Sequence, residues 1–158
     1  MRRLCKLSIP PALAGLLTFG LLACSDSPSR PIGTIPFTGL AEAGVPGSAG
    51  PQIQTVVRTQ AAWSQLWSDL WGDQAPALPA VDFSRDMVVL VTASQTCAGG
   101  AKIEEITHTG TQIQVRYGDA AASLCLCVIS TLNFHAVTAP RLTGEATFEA
   151  RQTPPLCG

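Results

Sequence analysis

Charge is scarce in this chain: 13% of its residues are Asp, Glu, Lys or Arg, and ten basic side chains nearly balance eleven acidic ones. That balance leaves no basic stripe of the kind that nucleic acid or an anionic membrane surface selects. Histidine occurs only twice and tyrosine once. The sequence contains no Gly-x-Ser-x-Gly, no His-Glu-x-x-His and no glycine-rich phosphate loop, so the common signatures of serine hydrolases, zinc proteases and nucleotide-binding enzymes are missing. No cofactor motif replaces them. What is present is apolar: 46% of the 158 residues are hydrophobic, enough for one packed domain and too much for a disordered chain.

The N-terminus sets the expected compartment. Arg2, Arg3 and Lys6 make a short basic region, and residues 7–23 follow without a charge. The most apolar part, residues 12–23, is too short for a comfortable membrane span and contains Gly15 and Gly20. It ends in Leu21-Leu22-Ala23-Cys24, which resembles a bacterial lipobox: leucine three before the cysteine, a small residue one before, and cysteine at the cut. The resemblance implies a signal peptide over residues 1–23 and palmitate or a similar acyl chain on Cys24. Several acyl chains, at about 0.8 kcal/mol per buried CH₂, would hold such a chain on a bilayer. Ser25 after the cysteine resembles the pattern for export to the outer membrane. Loss of residues 1–23 would leave seven basic against eleven acidic side chains, a formal charge of −4 on 135 residues.

Behind Cys24, residues 24–33 are rich in Ser and Pro and read as a flexible tether, with one domain over residues 34–158. Residues 35–40 alternate apolar and polar and predict a short edge strand, since Pro36 cannot donate to a central ladder. Residues 43–50 read as a loop. Residues 52–58 predict a strand. Thr59 is a natural N-cap, and Trp63, Leu66, Trp67 and Leu70 recur at helical spacing up to Gly72. A helix over residues 60–71 follows, with its tryptophan stripe expected to pack on a sheet. Met87-Val88-Val89-Leu90-Val91 is a continuous apolar run, as in a strand buried on both faces. Residues 102–107 and 112–117 form a hairpin about a Gly110 turn, with Glu104 and Glu105 on opposite faces and His108 exposed beside the turn. Residues 125–137 and 146–150 complete the pattern. The fold class is α+β, a largely antiparallel sheet of five to seven strands with one main helix.

Of six cysteines, Cys5 lies in the signal region and Cys24 is the lipidation site. Cys97, Cys125, Cys127 and Cys157 remain, and an even number in an exported domain predicts two disulfides bracing the fold. Cys125 and Cys127, two apart on a strand, face the same way and are poorly placed to bond each other. Each therefore takes Cys97 or Cys157, in either arrangement. The alternative is a metal or redox site of Cys125 and Cys127 with His135 or His108, for which Cys-x-Cys is a weak signal. No metal is expected on that ground.

From Met87 onward the order of features becomes specific. Met87-Val88-Val89-Leu90-Val91, a loop with Gly99-Gly100, the hairpin over residues 102–118 and a β segment ending Asn133-Phe134-His135-Ala136-Val137 resemble the PrcB C-terminal domain family, that of a lipoprotein associated with a secreted spirochaete protease complex. The upstream Trp63-Ser64-Gln65-Leu66-Trp67 matches a helix common in members. The resemblance covers residues 37–148 loosely and 87–140 best. The family's Gly-Gly-Tyr stands here as Gly99-Gly100-Ala101, without the aromatic. The family implies an exported, non-catalytic domain that binds protein, a partner or modulator of an extracytoplasmic protease. A small-ligand or metal-binding periplasmic lipoprotein is the alternative. The 94–100 loop, through Ser94, Gln95, Thr96, Gly99 and Gly100, and the 120–124 turn are the candidate contact surfaces. The envelope assignment has a direct check: Cys24→Ser is expected to abolish incorporation of radiolabelled palmitate, and continued labelling would contradict it.

Overall fold

The computed structural model describes residues 32–46, 52–95, 100–120 and 131–153. The one α-helix among these residues, α1 (Gln60–Trp71), begins where the side-chain oxygen of Thr59 accepts from the backbone N–H of Ala62 at 3.2 Å. This satisfies one of the donors that a helix start leaves open. It ends at Gly72, with φ +57° and ψ −138°. The positive φ anticipated there is present, but the ψ value is not that of a left-handed helical residue.

Two four-stranded sheets carry the rest. The first has the order β2 (Thr38–Pro46), β7 (Thr131–Pro140), β4 (Asp86–Gln95) and β3 (Gln54–Val57), with every pair antiparallel. The second has the order β1 (Gly33–Thr34), β5 (Lys102–His108), β6 (Gln112–Ala120) and β8 (Glu145–Thr153), in which β6 and β8 run parallel. The α+β class stands, with one helix and antiparallel pairing dominant, but the described strands number eight rather than five to seven and divide into two sheets rather than one.

The first sheet is buried on both faces. Met87, Val89 and Val91 of β4 pack with Ile106, Ile113 and Val115 of the second sheet. Val88 and Leu90, alternating with them, pack with Trp63, Trp67 and Leu70 of the helix. Side chains of an extended strand alternate between faces, so a strand lying between two apolar layers must be apolar throughout. The molecule is therefore three layers: sheet, sheet, helix. The second sheet has one wet face, where Arg116 pairs with Glu105 at 3.0 Å and Arg151 approaches Glu104 at 3.9 Å. Exposed pairs of this kind contribute little stability.

Several expectations are corrected. The strand predicted over residues 35–40 is interrupted between β1 and β2, and β2 continues to Pro46 through part of the segment read as a loop. Small side chains such as Ala41, Ala43 and Gly44 gave no strand signal, yet pairing with β7 along its whole length holds them extended. Glu104 and Glu105 are not on opposite faces. A bulge between Ile103 and Glu105 turns Ile103 and Ile106 inward and leaves the carboxylates on the wet side. The same shift carries His108 inward, where β1 pairs across it, so His108 is 1% exposed rather than solvated. Cys5, Cys24, Cys97, Cys125, Cys127 and Cys157 lie outside the described residues, as do both expected disulfides.

Long-range polar contacts tie the layers together. Arg58, following β3, donates from Nε to Leu142 O at 3.1 Å and from Nη2 to Gly144 O at 2.9 Å. Gly144 has φ +119°, and a Cβ there would lie 2.2 Å from Thr111 O, so only glycine fits where this connection crosses the β5–β6 turn. Gln54 Nε2 donates to Tyr117 Oη at 2.5 Å, linking β3 to β6. Two substitutions check the layer assignment by urea unfolding. Trp63→Ala, at 0% exposure, is expected to cost about 3–5 kcal/mol, and Thr59→Ala, which loses only the cap, about 1 kcal/mol.

Candidate functional site

A cleft of about 360 Å³ opens where β2 and β7 meet the start of β5; among the described strands β2 is at the edge of its sheet. Glu42, Ala43 and Gly44 of β2, Asn133 and Phe134 of β7, and Gly100 and Ala101 before β5 line it. The register explains why these residues meet. Glu42 lies opposite His135 and Gly44 opposite Asn133, so these four share the sheet face turned toward the second sheet. Ala43 and Phe134 alternate with them, and the Phe134 ring stacks edge-on against Trp67 and Trp71 on the helix side at 5.9 Å. At Gly100 an added Cβ would meet only Asn133 Cβ, at 3.8 Å. Glycine there leaves the mouth of the cleft open.

His135, opposite Glu42 in the register and outside the cleft lining, is 7% exposed. Its Nδ1 accepts the backbone N–H of Ile103 at 3.0 Å, a bond from one sheet to the other at the bulge in β5. An imidazole accepting at Nδ1 is neutral and carries its proton on Nε2. Burial pushes its pKa below the ordinary histidine value; Glu42 acts against that shift and Lys102 with it. The one lone pair of the ring is thus committed to a structural bond, and taking up a proton there would break it. His135 is arranged as a strut, not as a base. His108 is at the far end of β5 from Ile103, roughly 17 Å along an extended strand, so the two histidines do not converge on one ligand. Among the described residues no three of His, Cys, Asp and Glu stand together as metal ligands.

The sequence-derived contact loop is divided by the structure. Ser94 and Gln95 end β4, with their backbones opposite Leu132 and Thr131 of β7, and Gly100 lines the cleft. Thr96 and Gly99 lie outside the described residues, as do residues 121–124 of the expected turn. Glu42 and Gly44 were not singled out by sequence, and Asn133 entered only as part of the segment ending at Val137. Glu42 carried a faint signal, being the sole charge in the stretch from Ile32 to Ile53.

The pH dependence follows from the His135 bond. Its folded-state pKa is lowered, so the unfolded chain binds the proton more readily and stability falls as pH drops below about 6.5. The urea midpoint of the native chain is expected to decrease between pH 7 and pH 5.5. His135→Gln, whose amide oxygen can accept from Ile103 but does not titrate, should show a smaller decrease. Equal decreases would assign the effect to other groups.

Comparison of the sequence with protein-family models and with curated proteins, and of the fold with solved structures, finds no match.

Proposed function

We propose that this chain is a non-catalytic, lipid-anchored envelope protein whose domain binds another protein, a partner or modulator of an extracytoplasmic protease. The observation that carries the binding reading is the edge of β2 beside the cleft. β2 is nine residues long and pairs only with β7 among the described strands. An unpaired edge offers backbone donors and acceptors to an incoming extended segment, the mode called strand addition. Natural edges are commonly guarded by lysine, by inward charge or by proline. Here the guards are a bulge between Gly39 and Ala41 at one end and Pro46 at the other. Between them residues 41–45 form a regular stretch whose side chains are small except for Glu42 and Val45.

The cleft supports the same reading. It is open, and small residues border it beside Glu42, Asn133 and Phe134, which suits a peptide lying across it. The commitment of His135 Nδ1 to Ile103 favours binding over acid–base chemistry at this place. The envelope location and the protease connection rest on the lipobox-like Leu21-Leu22-Ala23-Cys24 and on the resemblance described above.

Photo-crosslinking in intact cells tests this face. A crosslinker at Glu42 or Gly100 is expected to capture an exported protein, one at Glu149 on the wet face of the other sheet is not, and Glu42→Arg should reduce capture from Gly100 at least fivefold. Equal capture from all three positions, or none from Glu42 and Gly100, would contradict the assignment.

A further inference from the structure

In the first sheet His135 lies between Glu42 of β2 and Val91 of β4, its partners in the two registers. Residues directly opposite in an antiparallel pair share a face, so all three side chains are neighbours on the side turned toward the second sheet. From that second sheet the backbone N–H of Ile103 donates to His135 Nδ1 at 3.0 Å. The bond is buried, and an N–H that lost it would find no water in exchange unless the strand moved. The same stretch of backbone forms one wall of the cleft. Gly100 and Ala101 line it just before β5, and Glu42 lines it from β2. His135 is thus bonded next to one wall and faces the charge on the other.

Few charges surround the imidazole. Glu42 favours its protonated form, and Lys102, beside Ile103 on β5, opposes it. On this face β4 and β7 contribute Val89, Val91, Asn133 and Val137, none of them titratable. From β6, Tyr117 stands opposite Ile103, and its hydroxyl accepts from Gln54. Glu104 and Glu105 lie beyond, on the wet side of the second sheet. A histidine that served only as a strut would need no carboxylate opposite it. Yet Glu42, the sole charge between Ile32 and Ile53, stands at that register position.

We propose that His135 is a two-position switch that ties the shape of the cleft to pH. Neutral, it accepts from Ile103 and holds residues 100–103 against β7. A proton taken from solvent at Nδ1 makes both ring nitrogens donors. Two N–H groups then face each other, and the bond to Ile103 breaks. The imidazolium turns to the Glu42 carboxylate, and the released backbone draws Gly100 and Ala101 away from β7. Acid therefore removes a wall contact of the cleft and the free charge of Glu42 together. The switch belongs to the free chain; its effect on a bound partner rests on the reading of the cleft given above.

NMR of the full chain, ¹⁵N- and ¹³C-labelled and in detergent micelles, follows the switch from pH 7.5 to pH 5. The His135 Cε1–H signal, the one lost in His135→Gln, gives the midpoint of the titration. Amide signals of Gly100, Ala101 and Ile103 are expected to move with that same midpoint, Ile103 upfield as its hydrogen bond is lost. The exchange protection factor of Ile103 should fall roughly tenfold or more across the range, while those of residues 89–91 in β4 hold. In His135→Gln the three amides should stay in place. In Glu42→Gln the midpoint should drop by about 0.5 pH unit, with the Ile103 signal at pH 7.5 unchanged. Amides of residues 100–103 that do not follow the His135 midpoint would overturn the proposal. So would an equal loss of protection in β4, which marks global unfolding, the same movement in His135→Gln, or a midpoint indifferent to Glu42→Gln.

Discussion

The burial of one sheet on both faces is the constraint from which the rest of this molecule follows. β4 places Met87, Val89 and Val91 against one layer and Val88 and Leu90 against the other, all at 0% exposure. Neither neighbouring layer could bury its apolar side without it. The helix alone has twelve residues, short for independent stability in water, and its Trp63, Trp67 and Leu70 stripe holds only because the sheet receives it. The second sheet is apolar on one face alone and depends on the same strand from the opposite direction. The polar contacts that cross between layers, Arg58 to the β7–β8 connection and Ile103 to His135, fix orientation on top of that burial.

Much of this was legible in the sequence where one residue's chemistry suffices. The helix bounds followed from Thr59, the tryptophan spacing and Gly72, and the doubly buried strand from five consecutive apolar residues. The β5–β6 hairpin followed from two alternating segments about a short turn. What sequence left open depends on register. The bulge in β5 has no local signature, yet it decides that Glu104 and Glu105 share a face and that His108 is buried. Whether eight strands make one sheet or two is likewise a matter of which strands pair at long range. β2 was half missed because glycine and alanine have poor strand propensity, and pairing with β7 overrode it.

The candidate site was the least legible part for the same reason. Glu42, Gly44, Asn133 and His135 are ninety residues apart in the chain and meet only through the β2–β7 register. Trp71, the last residue of α1, was not among the stripe residues read from the sequence, and it lines a second cleft at the helix end. β2 borders both clefts, with Gly44 on one face and Val45 on the other. A strand added along this edge would point successive side chains over the two faces in turn. That arrangement suits recognition of an extended segment by both its backbone and its alternating side chains.

β2 has one edge paired with β7 and, among the described strands, one open edge, in a sheet whose central strand is fully buried. Amide hydrogen exchange followed residue by residue measures this directly. Amides of β4 over residues 88–91 and of β7 over residues 134–137 should exchange only through global unfolding. In β2, residues 41–45 should alternate, every second amide protected by β7 and the others exchanging faster by at least a hundredfold. Uniform protection across residues 41–45 would mean that the edge is already covered by this chain, and the binding face would then have to lie elsewhere.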